Sequence, residues 1–185
     1  DKLDYTLLSG SVEEEVDEVV YDSRKAAPKT VFVCMKGTKR DSHDYIPQVL
    51  EAGCRVLVTE RPVEVPEGVT VLLVESGREA LAKLSGARFG YPAEKLLMIG
   101  VTGTKGKTTT THMIRKIMET AGKKTGMIGT IAIDTGDGVL PAVHTTPEAY
   151  EIQKYLAQMV DNGCDTCVME VSSQGLKMQR VEGIF

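Results

Sequence analysis

The chain has 185 residues, 42% of them hydrophobic and 26% charged, an ordinary composition for a soluble globular protein with room for one large domain or two small ones. Against 26 Asp and Glu stand 22 Lys and Arg, a formal charge of −4, so neither nucleic acid nor an acidic membrane is an expected partner. No apolar run approaches the ~20 residues of a membrane span, and the opening "DKLDYTLLSG" shows no signal peptide.

In chain order, "VVY" and "VFVCM" read as strands, and Tyr45, Ile46, Val49 and Leu50 recur at helical spacing with Gly53 as the stop. "RVLVTE" and "VTVLLVE" are further strands, and "SGREALAKLSGARFG" is an amphipathic helix. Strands alternating with helices imply an α/β domain with a largely parallel sheet. "GYPAEK", from Gly90 to Lys95, is a polar, turn-rich break. It divides the chain into residues 1–92 and 93–185.

After the break the alternation restarts. "KLLMIGVTG" reads as a strand. "KTTTTHMIRKIMETAG" reads as a helix with Met113, Ile114, Ile117, Met118 and Ala121 as its apolar face and Gly122 as its stop. "KTGMIGTIAI" reads as one strand. The next helix, "TTPEAYEIQKYLAQMVDNG", is expected to begin at Thr146 as N-cap with Pro147 in its first turn. "DTCVMEVSS" is a strand ending in polar residues. The chain stops at "VEGIF" with the second sheet hardly begun, which reads as a piece of a longer protein.

Cys34, Cys54, Cys164 and Cys167 are expected to be reduced and mostly buried, consistent with a cytoplasmic location. Cys164 and Cys167 form a C-x-x-C, but the pair straddles a helix-to-strand turn and has no second ligand pair to complete a zinc site. His43 and His112 read as surface or helix-face residues.

Two short stretches carry the chemistry. "VTGTKGKTTTT" follows a strand and opens a helix, which aims backbone N–H groups and a helix N-terminus at a phosphate. Gly103 and Gly106 permit close backbone approach, Lys107 can reach the β- and γ-phosphates, and Thr108 can offer a hydroxyl to Mg²⁺. The longer G-x-x-x-x-G-K-[ST] pattern would need Gly at 101, where this chain has Val101. A plain surface turn has no use for Lys-Thr-Thr-Thr at a helix start, where β-branched residues are mediocre helix formers. "VMEVSS" places Glu170 near the carboxyl end of an apolar strand, where nucleotide sheets gather their ligands. It is either a Mg²⁺ partner of Thr108 or an edge-strand carboxylate facing water.

The motifs "YDSR", "VFVCMKGTKRDSHDYI", "VTGTKGKTTTT", "HTTP" and "MEVSSQGLKMQR" together resemble the Mur ligase family of ATP-dependent amide-bond ligases. The resemblance is to the branch that extends UDP-N-acetylmuramoyl-L-alanyl-D-glutamate by a third amino acid, diaminopimelate or lysine. It implies a small α/β UDP-sugar-binding domain followed by the first part of a P-loop domain with a mainly parallel sheet, a monomer needing ATP and Mg²⁺. It also implies an acyl-phosphate intermediate, and a fragment inactive without the amino-acid-binding domain. Carried over residue by residue, Tyr21 and Ser23 would meet the uridine end, with Thr38, Lys39 and Arg40 beside the uracil or pyrophosphate. Gly103, Thr104, Lys105, Gly106, Lys107, Thr108 and Thr109 would hold ATP, with Lys107 neutralising developing charge. His144, Thr145, Thr146, Ser172, Met178 and Arg180 would hold the muramoyl peptide. Met178 stands where some relatives carry Gln, so it offers main-chain or apolar contact only. Other readings are a different Mur step, a folylpolyglutamate-type ligase, or a non-catalytic protein that binds nucleotide or UDP-sugar.

Overall fold

The computed structural model describes residues 3–37 and 40–184. The chain divides into two compact units, Asp1–Leu84 and Ser85–Phe185.

The first unit is built on β1 (Thr6–Ser9), β2 (Glu18–Val20), β3 (Thr30–Val33), β4 (Val56–Thr59) and β5 (Thr70–Leu73), in the order β1-β5-β4-β3-β2. Neighbours β2–β3, β3–β4 and β4–β5 are parallel, and β1 closes the edge antiparallel to β5. β3 and β4 are buried at every position, which is why they read as unbroken apolar runs rather than alternating ones. Parallel neighbours need a crossover. Between β3 and β4 it is α1 (Ile46–Glu51), whose Ile46 and Val49 join Phe32, Leu57 and Val71 in the core. Gly53, at φ +90°, lets the chain turn back after it. α2 (Gly77–Arg88) follows β5, and the division between the units falls within it.

His43 is not a surface residue. It lies in a 3-10 turn, Ser42–Tyr45, at 5% exposure. Its Nε2 accepts the Glu60 N–H at 3.0 Å, so Nδ1 carries the ring proton and donates to Asp41 Oδ1 at 2.5 Å.

The second unit contains β6 (Leu97–Val101), α3 (Lys107–Thr120), β7 (Thr125–Ile128), β8 (Ala132–Asp134), β9 (Val139–Pro141), α4 (Ala149–Asp161), β10 (Thr166–Glu170) and α5 (Ser173–Lys177). The sheet order is β6-β10-β7-β8-β9. β10 lies between β6 and β7, parallel to both, and β8 and β9 add an antiparallel edge. The expected single strand "KTGMIGTIAI" therefore breaks at Gly129, Thr130 and Ile131 into β7 and β8. Ile128, Ile133, Ile152, Leu156, Met159 and Met169 fill the core. Pro92–Lys95 is a 3-10 turn whose Ala93 is buried in that core, so the polar break is packed rather than loose.

Two helices differ from what their sequences predict. α3 buries Thr111 and half-buries Ile114 and Met118, while Met113 and Ile117 are 62% and 65% exposed. At ~100° per residue the apolar set spans about 140°, and the helix turns only its Ile114–Met118 edge and the adjoining Thr111 to the sheet, leaving the Met113–Ile117 edge exposed. Thr146 is not the N-cap of α4. That position is Glu148, which makes no side-chain cap, and the Thr146 hydroxyl is used elsewhere.

All four cysteines are free and buried. Burial pushes the Cys34 thiol up to about 12 and the Cys167 thiol further, so both stay protonated and make poor nucleophiles or metal ligands.

Candidate functional site

In the second unit, β6 delivers the chain at Val101 into the loop before α3. Gly103 has φ +143° and Gly106, the N-cap of α3, has φ +83°, conformations that any residue with a Cβ adopts at a cost. No side chain caps α3, so its first-turn N–H groups are available to an anion. Thr104, Lys105 and Thr109 are exposed. The Lys107 ammonium folds back onto the Gly103 carbonyl oxygen at 2.8 Å, so loop and cation already form one ring.

Strand register decides what faces this loop. Glu170 is paired with Val101, and Met169 with both Gly100 and Ile128. The carboxyl ends of β6, β10 and β7 thus coincide, and Glu170 emerges between the P-loop and the turn after β7. It is 1% exposed and belongs to an interior strand, not an edge. A buried carboxylate must be paired. The Thr108 hydroxyl lies 3.0 Å from Oε1 and 3.0 Å from Oε2. On the other side the Thr130 N–H donates to Oε1 at 2.9 Å and the Thr130 hydroxyl to Oε2 at 3.1 Å. Gly129 makes room for this approach, since a Cβ there would stand 2.7 Å from Oε1.

The donor set fits Mg²⁺. It supplies a hydroxyl and a carboxylate, both hard oxygen donors. Their 3.0 Å separation matches the edge of about 2.9 Å between adjacent ligands of an octahedron with ~2.05 Å bonds. Among the described residues no group of at least 3 His, Cys, Asp or Glu gathers as an all-protein cage, and Mg²⁺ at a phosphate does not require one.

Several of the residues expected to hold the muramoyl peptide are tied by hydrogen bonds to Thr130 or to the backbone at the end of β10. Thr145 Oγ1 lies 3.0 Å from Thr130 Oγ1. The buried Thr146 hydroxyl donates to the Glu170 carbonyl at 3.0 Å and accepts the Ser172 N–H at 2.9 Å. Ser172 caps α5 through the Gly175 N–H. Arg180 donates to the Thr146 carbonyl at 2.9 Å and pairs with Glu148 at 2.5 Å, so its charge braces the loop before α4. Met178 is the half-buried C-cap of α5, and His144 is exposed.

In the first unit, Tyr21, Ser23 and Arg40 line one cleft of about 490 Å³ together with Asp22, Arg24, Ser42, Tyr45 and Gln48. Thr38 and Lys39 lie outside the described residues. Asp22 caps the 3-10 turn Ser23–Lys25 and takes the Arg24 guanidinium at 2.6 to 3.2 Å. Hydrogen bonds from Arg24 hold the Asp22 carboxyl down to about 2.

Sequence reasoning missed Thr130, hidden inside an apparent strand. It also missed Tyr45 and Gln48, which share a helical segment read for its apolar spacing. Asp22 stood within "YDSR" and could have been named as a cap, since Asp before a short helix accepts its first N–H groups.

Residues 101–185 match the Mur ligase middle domain and residues 15–89 match the Mur ligase family, catalytic domain. Over 182 residues the chain is 45% identical to the UDP-N-acetylmuramoyl-L-alanyl-D-glutamate–2,6-diaminopimelate ligase of Clostridium perfringens, a match covering 98% of this chain and 38% of that protein. The protein of the same name from Geobacillus thermodenitrificans is 47% identical over 162 residues, covering 88% of this chain and 33% of that one. A solved structure of a UDP-N-acetylmuramoyl-L-alanyl-D-glutamate–2,6-diaminopimelate ligase superposes with a TM-score of 0.72 at 25% identity, over 91% of this chain and 34% of that chain. The chain thus spans well under half the length of the relatives it matches.

Proposed function

The chain belongs to the Mur ligase family, and on that premise we propose that it is the front part of an ATP- and Mg²⁺-dependent cytoplasmic ligase. The whole enzyme joins 2,6-diaminopimelate to UDP-N-acetylmuramoyl-L-alanyl-D-glutamate and acts as a monomer. Residues 1–92 form the UDP-sugar module and residues 93–185 the first part of the ATP domain. The observation that carries this reading is Glu170, a buried carboxylate met by the Thr108 hydroxyl at the mouth of a phosphate-binding loop. The names of the relatives supply the substrates.

A carboxylate does not condense with an amine in water, because oxide is a poor leaving group. Transfer of the γ-phosphoryl group of ATP to the D-glutamate γ-carboxylate forms an O–P bond, breaks the β–γ bridge and releases ADP. The amine of the third amino acid then attacks the acyl carbon and expels phosphate. The protein must hold anions together, so positioning and charge neutralisation dominate. Lys107 exchanges the Gly103 carbonyl for phosphate oxygens, and the open amides of Gly103 to Thr109 cradle the same group. Thr108 and Glu170 would hold Mg²⁺, which when bound neutralises charge on the phosphate oxygens. Thr145, Ser172 and Met178 hold the muramoyl peptide with His144, while the buried Thr146, its hydroxyl spent on Glu170 and Ser172, and Arg180 fix the loop behind them. Tyr21, Ser23 and Arg40 take the uridine diphosphate end, beside Thr38 and Lys39.

The test is phosphate release by the intact protein supplied with ATP, Mg²⁺, the UDP-muramoyl dipeptide and either diaminopimelate or lysine. Release dependent on the dipeptide and on diaminopimelate is expected. Release with lysine alone would change the third residue, and none with either would remove the ligase reading.

A further inference from the structure

Glu170 is gripped from the side opposite the P-loop by one residue, Thr130. Its N–H reaches Oε1 at 2.9 Å and its hydroxyl reaches Oε2 at 3.1 Å. Two donors from one residue, one on each carboxylate oxygen, fix the rotation of the carboxylate about its last bond. Thr108 cannot do this, because its single proton is shared between both oxygens at equal distance.

A hydroxyl has one proton to give. With the Thr130 proton given to Glu170 Oε2 at 3.1 Å, the contact of 3.0 Å between the Thr130 and Thr145 hydroxyls uses the Thr145 proton. The line Glu170–Thr130–Thr145 is therefore directional. It starts at the carboxylate facing Thr108 and ends at a hydroxyl beside Thr146. Gly129 is part of the device, since any Cβ there would push into Oε1 at 2.7 Å.

We propose that Thr130 is a positioning residue that couples the Mg²⁺-nucleotide subsite to the muramoyl-peptide subsite. The proposal rests on the ligase reading above and assigns that site an internal linkage. A nucleotide complex that fixes Glu170 fixes the Thr130 hydroxyl and, through it, the direction of the Thr145 proton. A muramoyl peptide that engages Thr145 returns the same constraint to Glu170. Linkage of this kind is reciprocal, and couplings of this type are ordinarily about 5- to 150-fold in affinity.

The experiment is calorimetry on the intact protein with adenylyl imidodiphosphate and Mg²⁺, with and without the UDP-muramoyl dipeptide. Three proteins are compared: wild type, Thr130→Val, which keeps the N–H and the shape but loses the hydroxyl, and Thr130→Ser, which restores it. In the wild type each ligand should tighten the other at least about fivefold. In Thr130→Val that factor should fall below about twofold, with the melting temperature retained, and Thr130→Ser should recover it. Equal coupling in Thr130→Val and wild type would overturn the proposal, as would failure of Thr130→Ser to recover the factor. If the wild type binds both ligands without coupling, the linkage is wrong and the ligase reading stands. If it binds neither, the ligase reading fails and the linkage falls with it.

Discussion

The Thr108 hydroxyl and the Glu170 carboxylate meet at 3.0 Å across 62 residues of sequence. Two parallel strands bring them together. β6 leads into the loop that ends at Thr108, β10 ends at Glu170, and the register pairs Val101 with Glu170 directly. Sliding β10 by one residue would turn the carboxylate to the opposite face of the sheet. The apolar side chains of Val168 and Met169, both fully buried, resist that slip. Packing in the strand thus sets the geometry at its end.

Lys107→Ala should lower Mg-ATP affinity at least about tenfold without unfolding the chain, as loss of a hydrogen bond to a charged group of about 1.5–3 kcal/mol implies. The ammonium's present partner is a carbonyl in the same loop, so the fold does not depend on it. Lys107→Arg should recover little, since a planar fork replaces a compact cation. Calorimetry on folded variants decides, and unchanged affinity would remove the phosphate role.

Gly129→Ala separates the site from the fold. The added methyl meets the end of the Glu170 side chain at 2.7 Å, and overpacking of this kind costs about 1–3 kcal/mol. Melting should fall by several degrees, and Mg²⁺-dependent nucleotide binding should weaken beyond that. Gly138→Ala, whose Cβ would meet nothing within 4 Å, is the control and should change neither.

His43→Ala should destabilise the first unit by about 2 kcal/mol or more. It strands the Glu60 N–H, whose burial without a partner costs about 1–3 kcal/mol, and it empties a closed position. His43→Gln can return an acceptor toward Glu60 and should recover part of the loss. Urea unfolding of the three proteins measures this, and a loss under about 0.5 kcal/mol would mean the contacts contribute nothing.

The Asp22 carboxyl should titrate near pH 2 in wild type rather than at 3.8. Its pKa is depressed in the folded state, so its contribution to stability is present above about pH 4 and is lost as pH falls toward 2. Arg24 is 82% exposed at its side chain, so added salt should weaken the effect. Carboxyl shifts followed by NMR in wild type and Arg24→Ala test this. The variant's midpoint should rise toward 3.8, and an unmoved midpoint would remove Arg24 as the cause.

The α/β alternation is legible because buried parallel strands such as "TVFV" and "VLVT" are unbroken apolar runs. Glu170 is legible for the same reason, since one charge inside "TCVME" demands a partner. β1 escapes notice because "TLLS" is largely exposed and does not alternate, and only pairing with β5 makes it a strand. The roll of α3 is hidden because Thr111, a polar residue, occupies the buried position. Thr146 looks like a cap by sequence, and its hydroxyl instead ties β10 to the loop before α4, a contact between segments far apart in the chain. Thr130 is illegible because the two groups it joins come together only in the folded sheet.

The proposed nucleotide site requires Glu170 as a ligand of the nucleotide's metal. A Mg²⁺ titration of ATP affinity, in the intact protein and in Glu170→Gln, tests it directly. Gln keeps the shape and one acceptor oxygen, and the Thr108 and Thr130 hydroxyls can turn to accept from its amide, so the variant should fold. The Mg²⁺ midpoint should rise at least about tenfold, the scale seen when even an outer partner of a metal site is lost, while binding of the UDP-muramoyl dipeptide changes less. Superimposable Mg²⁺ curves for the two proteins would mean that Glu170 is not a metal ligand.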